Sequence, residues 1–132
     1  LAVVAIAPAF AETATEDLVR NFTITSTTID PQTKVVTVKG TVTCAPEVNR
    51  VFVAVELSQV VGRLHTVWGF GQERLSCDGR TAFTLRFSAQ EGRFAPGEAT
   101  LRGFAGTCVG REHEGQCDFD RTGRMEVRLT PA

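Results

Sequence analysis

From Leu18 onward the chain alternates apolar and polar positions with a period of two, and no stretch of several helical turns carries a helical stripe. Phe22 and Ile24 alternate with Thr23 and Thr25 in a first predicted strand, which Asp30-Pro31 ends. Val36, Val38, Val42 and Cys44 share one face of a second, opposite Thr37, Lys39, Thr41 and Thr43. The third is the most apolar. Val51, Val53, Val55 and Leu57 face one way and Phe52 and Ala54 the other, which predicts a central strand buried on both sides. A fourth runs from His65 to Cys77, and Gly69 and Gly71 within it suggest a bulge or an edge position. Asp78-Gly79 turns into a fifth with Phe83, Leu85 and Phe87 on one face; a sixth covers Glu98 to Cys108. The last, Arg124 to Thr130, points Met125, Val127 and Leu129 inward.

Seven short strands separated by Pro, Gly and Asp turns predict an all-β fold: a seven-stranded immunoglobulin-like Greek-key β-sandwich with two disulfides. In that assignment the strands are A, B, C, C′, E, F and G, and a small barrel is the alternative architecture. Antibody-type domains are excluded. The chain has no tyrosine to form a tyrosine corner, and its single tryptophan, Trp68, is not on the third strand.

Ahead of these strands, residues 1–11 are apolar and uncharged, too short to span a bilayer as a helix and ending in the small-x-small pattern Ala9-Phe10-Ala11. They read as a signal-peptide remnant cleaved before Glu12. The alternative is a retained strand or anchor. Residues 12–17 form a linker, and the sandwich occupies 18–132.

Composition agrees with strands: valine and threonine together make up 33 of 132 residues. A net charge of −1 removes the global cationic field that nucleic-acid and polybasic membrane-surface binders need. The expectation is therefore no nucleic-acid partner and no stable membrane span. Four cysteines in a small chain suit an oxidising compartment, hence a secreted protein. In the predicted topology Cys44, Cys77, Cys108 and Cys117 all fall at one pole. Cys44–Cys77 with Cys108–Cys117 is the favoured pairing, and Cys44–Cys108 with Cys77–Cys117 the alternative. Without a C-x-x-C, zinc ligation is the lesser reading of these cysteines.

The segment from Val109 to Gly123 carries the densest candidate chemistry, as a loop pinned by a Cys108–Cys117 bridge. Arg111, Glu112, His113, Glu114, Asp118, Phe119, Asp120 and Arg121 form a candidate recognition surface. The bland alternative is a solvated hairpin, and metal ligation is a third. Trp68 and Phe70 share a face opposite Val67. Packed, they complete the core, the more ordinary outcome; exposed, they form an aromatic platform for a sugar ring or an apolar side chain. His65 has no evident nucleophile beside it, and Glu73, Asp78 and Glu91 are surface carboxylates in a chain with little room for a cleft. No catalytic residue and no cofactor is expected.

The motifs Gly40-Thr-Val-Thr-Cys44 and Cys77-Asp-Gly79 resemble those of small secreted actinobacterial proteins that carry a β-sandwich domain of unknown function. The resemblance runs from Ile24 to Cys108. It implies secretion and a sandwich and supplies no catalytic residues. A fainter likeness is to the enediyne-binding apoproteins, secreted seven-stranded sandwiches with two disulfides, whose motifs are absent here. Together these readings predict a secreted, non-catalytic binding or assembly module acting through the disulfide-pinned end. The ligand is an unidentified protein, glycan or small molecule, with self-assembly a further option. The alternatives are a structural subunit of an extracellular or membrane-associated assembly, a small-molecule carrier and a small hydrolase.

Overall fold

A computed structural model describes residues 17–110 and 115–132. The expected export segment, most of the linker, and Arg111, Glu112, His113 and Glu114 lie outside the described residues. Seven strands follow one another: β1 (Val19–Ile29), β2 (Val36–Cys44), β3 (Arg50–Val61), β4 (His65–Ser76), β5 (Arg80–Phe87), β6 (Gly97–Val109) and β7 (Gln116–Pro131). They form one hydrogen-bonded sheet in the order β4-β3-β6-β7-β1-β2-β5. Every pairing is antiparallel except a short parallel contact, Thr28 with Thr130 and Ile29 with Pro131, that joins the two halves.

This sheet curls until its outermost strands meet, so it is nearly a barrel. Two glycines make that closure feasible. A Cβ on Gly71 would stand 2.6 Å from the Phe87 ring, and one on Gly69 2.6 Å from the Ser88 carbonyl. With no side chain at either position β5 packs directly on β4, and the Gln90 N–H donates to the Trp68 carbonyl across the seam at 2.8 Å. These glycines mark an edge strand, as expected, but no bulge: β4 pairs with β3 residue for residue from Arg50–Ser76 to Val61–His65.

Alternation places the core. Val36, Val38 and Val42, then Val51, Val53, Val55 and Leu57, then Phe83, Leu85 and Phe87 are all buried, joined by Leu101 and Leu129. In β1 the alternation breaks: Val19, Phe22 and Ile29 all point inward although their spacings are odd. Two irregularities in the β1–β2 register, between Arg20 and Thr23 and between Ile24 and Ser26, shift the phase each time. Asn21, at φ 54°, supplies the left-handed residue of the first. Val48 closes one end of the core, and Phe94, edge-on to Phe87 at 6.3 Å, closes the other. Gln59 is the buried polar residue among those described. Its amide donates to the Ala95 and Glu98 carbonyls and its oxygen accepts from the Ala95 N–H, tying residues 95–98 to β3.

Two sequence expectations need correction. β3 is an interior strand, between edge strand β4 and β6, and it is buried on one face only: Glu56 on the other face is exposed, and Phe52 and Ala54 are half-buried. The segment read as a loop from Val109 to Gly123 is mostly strand. β6 and β7 stay paired as far as Val109–Gln116, so Arg124 is a mid-strand residue rather than the start of the strand. Polar composition suggested a loop, but the polar residues here have partners, described next.

Candidate functional site

The disulfides are Cys44–Cys77 and Cys108–Cys117, with Cα atoms 6.2 and 4.0 Å apart. Both sit at one pole. Val19 pairs with Cys44, the Cys77 N–H donates to the Asn49 carbonyl, and Thr107 donates to the Arg50 carbonyl at 2.6 Å. No cysteine among the described residues is free, and two disulfides are consistent with an oxidising or extracellular environment.

Beyond Cys117 the alternation of β7 sorts the predicted recognition residues into two groups. Asp118 and Asp120 turn toward β1, which is not laddered to this half of β7. Asp118 Oδ2 accepts from the backbone N–H of Leu18 at 2.8 Å and of Val19 at 3.1 Å, and Asp120 Oδ2 accepts from Phe22 N–H at 2.8 Å. Two carboxylates thus stand in for the missing strand ladder, satisfying donors that would otherwise be orphaned beside the core. Phe119 and Arg121 turn the other way, to the outer face of the sheet.

That outer face, across β4, β3, β6 and β7, is where the exposed aromatics gather. Trp68 and Phe70 are 46% and 44% exposed rather than part of the core, and their rings stack with centroids 6.2 Å apart. Phe119 is 53% exposed and lies across Gly106, where a Cβ would come within 2.5 Å of its ring. The absence of a side chain at Gly106 lets Phe119 reach Phe104 at 6.3 Å, and Phe104 in turn meets Phe52 at 5.8 Å. The rings flank two adjoining hollows. The first, of about 460 Å³, has Ala54 and Gly103 in its floor, Phe70 and Phe104 as walls, and Arg102, Arg121 and Arg124 at its rim with Glu56. The second, of about 410 Å³, lies between Phe52 and Phe119 beside Arg50, Arg74 and the Cys108 end of the bridge.

Five arginines therefore face solvent around these rings with one carboxylate among them. Among the described residues the sole ion pair is Arg128 with Glu98, further along the sheet, so none of the five is matched by a close carboxylate there. Sequence reading found Trp68, Phe70, Phe119 and Arg121. It missed Phe52, Phe104 and the other four arginines. The faces of β3 and β6 were legible from alternation, but which residues stand opposite which depends on cross-strand register. His65, Glu73, Asp78 and Glu91 line neither hollow. Among the described residues no three His, Cys, Asp or Glu side chains group as a metal site, and no helix is long and apolar enough to cross a membrane. No protein-family model, curated protein or solved structure matches the chain.

Proposed function

We propose that this protein is an exported, non-catalytic binding module whose ligand is anionic and carries an apolar ring or flat apolar face. The carrying observation is the cluster of five arginines and five aromatic rings on one solvent-facing sheet surface. Arginine forks match carboxylate, sulfate and phosphate oxygens in pairs, and exposed rings offer apolar area at small entropic cost. The arginines with Glu56 make a local +4, whereas the other described residues carry eight Lys or Arg against ten Asp or Glu and sum to −2. That asymmetry steers an anion to this face and away from the rest.

This reading keeps the binding-module function and the disulfide end expected from sequence, and moves its centre from the loop tip to the adjoining sheet face. The two disulfides support export, and the resemblance to small secreted actinobacterial proteins agrees with it. Strand order supports an immunoglobulin-like Greek key, with β1, β2 and β5 in one half and β4, β3, β6 and β7 in the other.

Chromatography on an anionic resin at neutral pH and low salt tests the reading. A protein of net −1 with evenly spread charge flows through, whereas one with this face is retained, and R102A/R121A/R124A is not. Wild-type protein that flows through, or a triple variant retained equally, overturns the proposal.

A further inference from the structure

We infer that the two hollows are successive ring-binding subsites for an acidic oligosaccharide, a uronate- or sulfate-bearing chain. This inference rests on the anionic-ligand reading above and specifies its ligand class. The two sites repeat one chemistry: each sets a pair of phenylalanine rings beside at least two arginines, Phe70 and Phe104 in the first, Phe52 and Phe119 in the second. The contact between Phe52 and Phe104 forms the wall they share. A ligand read twice in the same way is a chain of repeating units, each with a ring and an acid group.

Position along β3 sets the spacing. The first hollow centres on Ala54 and Glu56 and the second on Arg50 and Phe52, so their centres are four residues, roughly 13 Å, apart. A single ring cannot bridge that distance; a short oligomer can. Ala54, a small side chain, lies in the lining of the first hollow, and Phe119 packs over Gly106 to wall the second. The flat apolar face of a pyranose lies on a phenyl ring while its carboxylate reaches an arginine fork.

A single-stranded nucleic acid shares the ring-and-anion logic but fits the charge less well. Proteins that bind it track its phosphate backbone with an extended positive groove. Here the positive cluster is the one around the two hollows, and the other described residues sum to −2. The two disulfides also suit an extracellular setting, where acidic polymers are mainly glycans.

Calorimetric titration with mono-, di- and tetragalacturonate, fully methyl-esterified tetragalacturonate and tetrathymidylate tests the inference. Quenching of Trp68, the single tryptophan, stacked on Phe70, provides a parallel readout. Tetragalacturonate is expected to bind at least about tenfold tighter than the monomer. The esterified tetramer is expected to bind much more weakly than the acid. Phe119→Ala should remove the chain-length gain and spare the monomer, whereas Phe104→Ala weakens both. Phe119 is exposed and Phe104 half-buried on the outer face, and an unchanged melting temperature confirms that each variant is folded.

Equal affinity for monomer and tetramer overturns the two-subsite inference and leaves the anionic-ligand reading standing. Tetrathymidylate binding without galacturonate binding does the same and assigns the face to nucleic acid. Absence of binding to every anion overturns the oligosaccharide inference, and the anionic-ligand reading falls with it when the protein also flows through the anionic resin.

Discussion

Replacing Asp118 by alanine separates a structural aspartate from a ligand-binding one. The carboxylate holds two backbone N–H groups, of Leu18 and Val19, at the start of β1. Hydrogen bonds to a charged group contribute about 1.5–3 kcal/mol each, so the pair is worth about 3–6 kcal/mol if the strand stays in place without it. The chain has a cheaper response. Residues 18 and 19 can peel away and return their donors to water, exposing two buried side chains at about 1.5–3 kcal/mol each. Peeling regains backbone entropy of about 1–2 kcal/mol per residue, so its net cost is about 1–2 kcal/mol. The lower-cost route wins, and the expected result is a destabilisation of about 2 kcal/mol with local fraying.

For a domain of this size that corresponds to a fall of about 8 °C in melting temperature. Hydrogen exchange should show protection lost at Leu18 and Val19 beyond the global change seen at Val53 and Val55. Asp118→Asn keeps one acceptor oxygen and should cost about half as much. An Asp118→Ala protein within about 0.5 kcal/mol of wild type, with both amides still protected, would falsify the assignment of Asp118 to the β1 clamp. Destabilisation shared equally by every amide would refute the fraying step.

Three further outcomes follow from the same structure. Gln59→Leu leaves the Ala95 N–H and the Ala95 and Glu98 carbonyls without their buried partner and should lower urea-measured stability by about 2–3 kcal/mol. Chain-entropy arithmetic for sequence separations of 33 and 9 gives about 3.7 kcal/mol for Cys44–Cys77 and about 2.6 kcal/mol for Cys108–Cys117. Paired serine variants should therefore fall in that order, and the reverse order in denaturant melts would contradict the entropic account. The N–H groups of Thr33 and Gln32 hold the Asp30 carboxyl below its usual range. Its stabilising contribution is present above the ordinary aspartate range and is lost as pH falls through the depressed value. An Asp30→Asn variant should thus show a shallower acid limb in stability against pH, and identical limbs would dismiss the effect.

How much of this was legible beforehand varies by element. β2 and β5 were readable face by face, because unbroken period-two alternation with one side buried leaves a single solution. β7 was misread at its start because Asp118 and Asp120 look like loop residues until β1 is seen to need their acceptors. Gly69 and Gly71 announced an irregularity in β4, but a glycine has no side chain with which to say what approaches it. The approach of β5 supplied the reason. Trp68 and Phe70 were legible as a pair on one face, but whether that face was covered depended on how far the sheet curls.

Local chemistry, then, determined the all-β class, the strand count and the inward residues of most strands. Each depends on side-chain alternation or on turns a few residues long. Tertiary structure decided which strands stand side by side, and with that the candidate site. Phe52, Phe70, Phe104 and Phe119 come from four strands, and the arginines around them from the same four. Their convergence is a matter of register between segments distant in the chain. It is set by the burial of the opposite face, and the exposed residues that share it have no local pattern of their own.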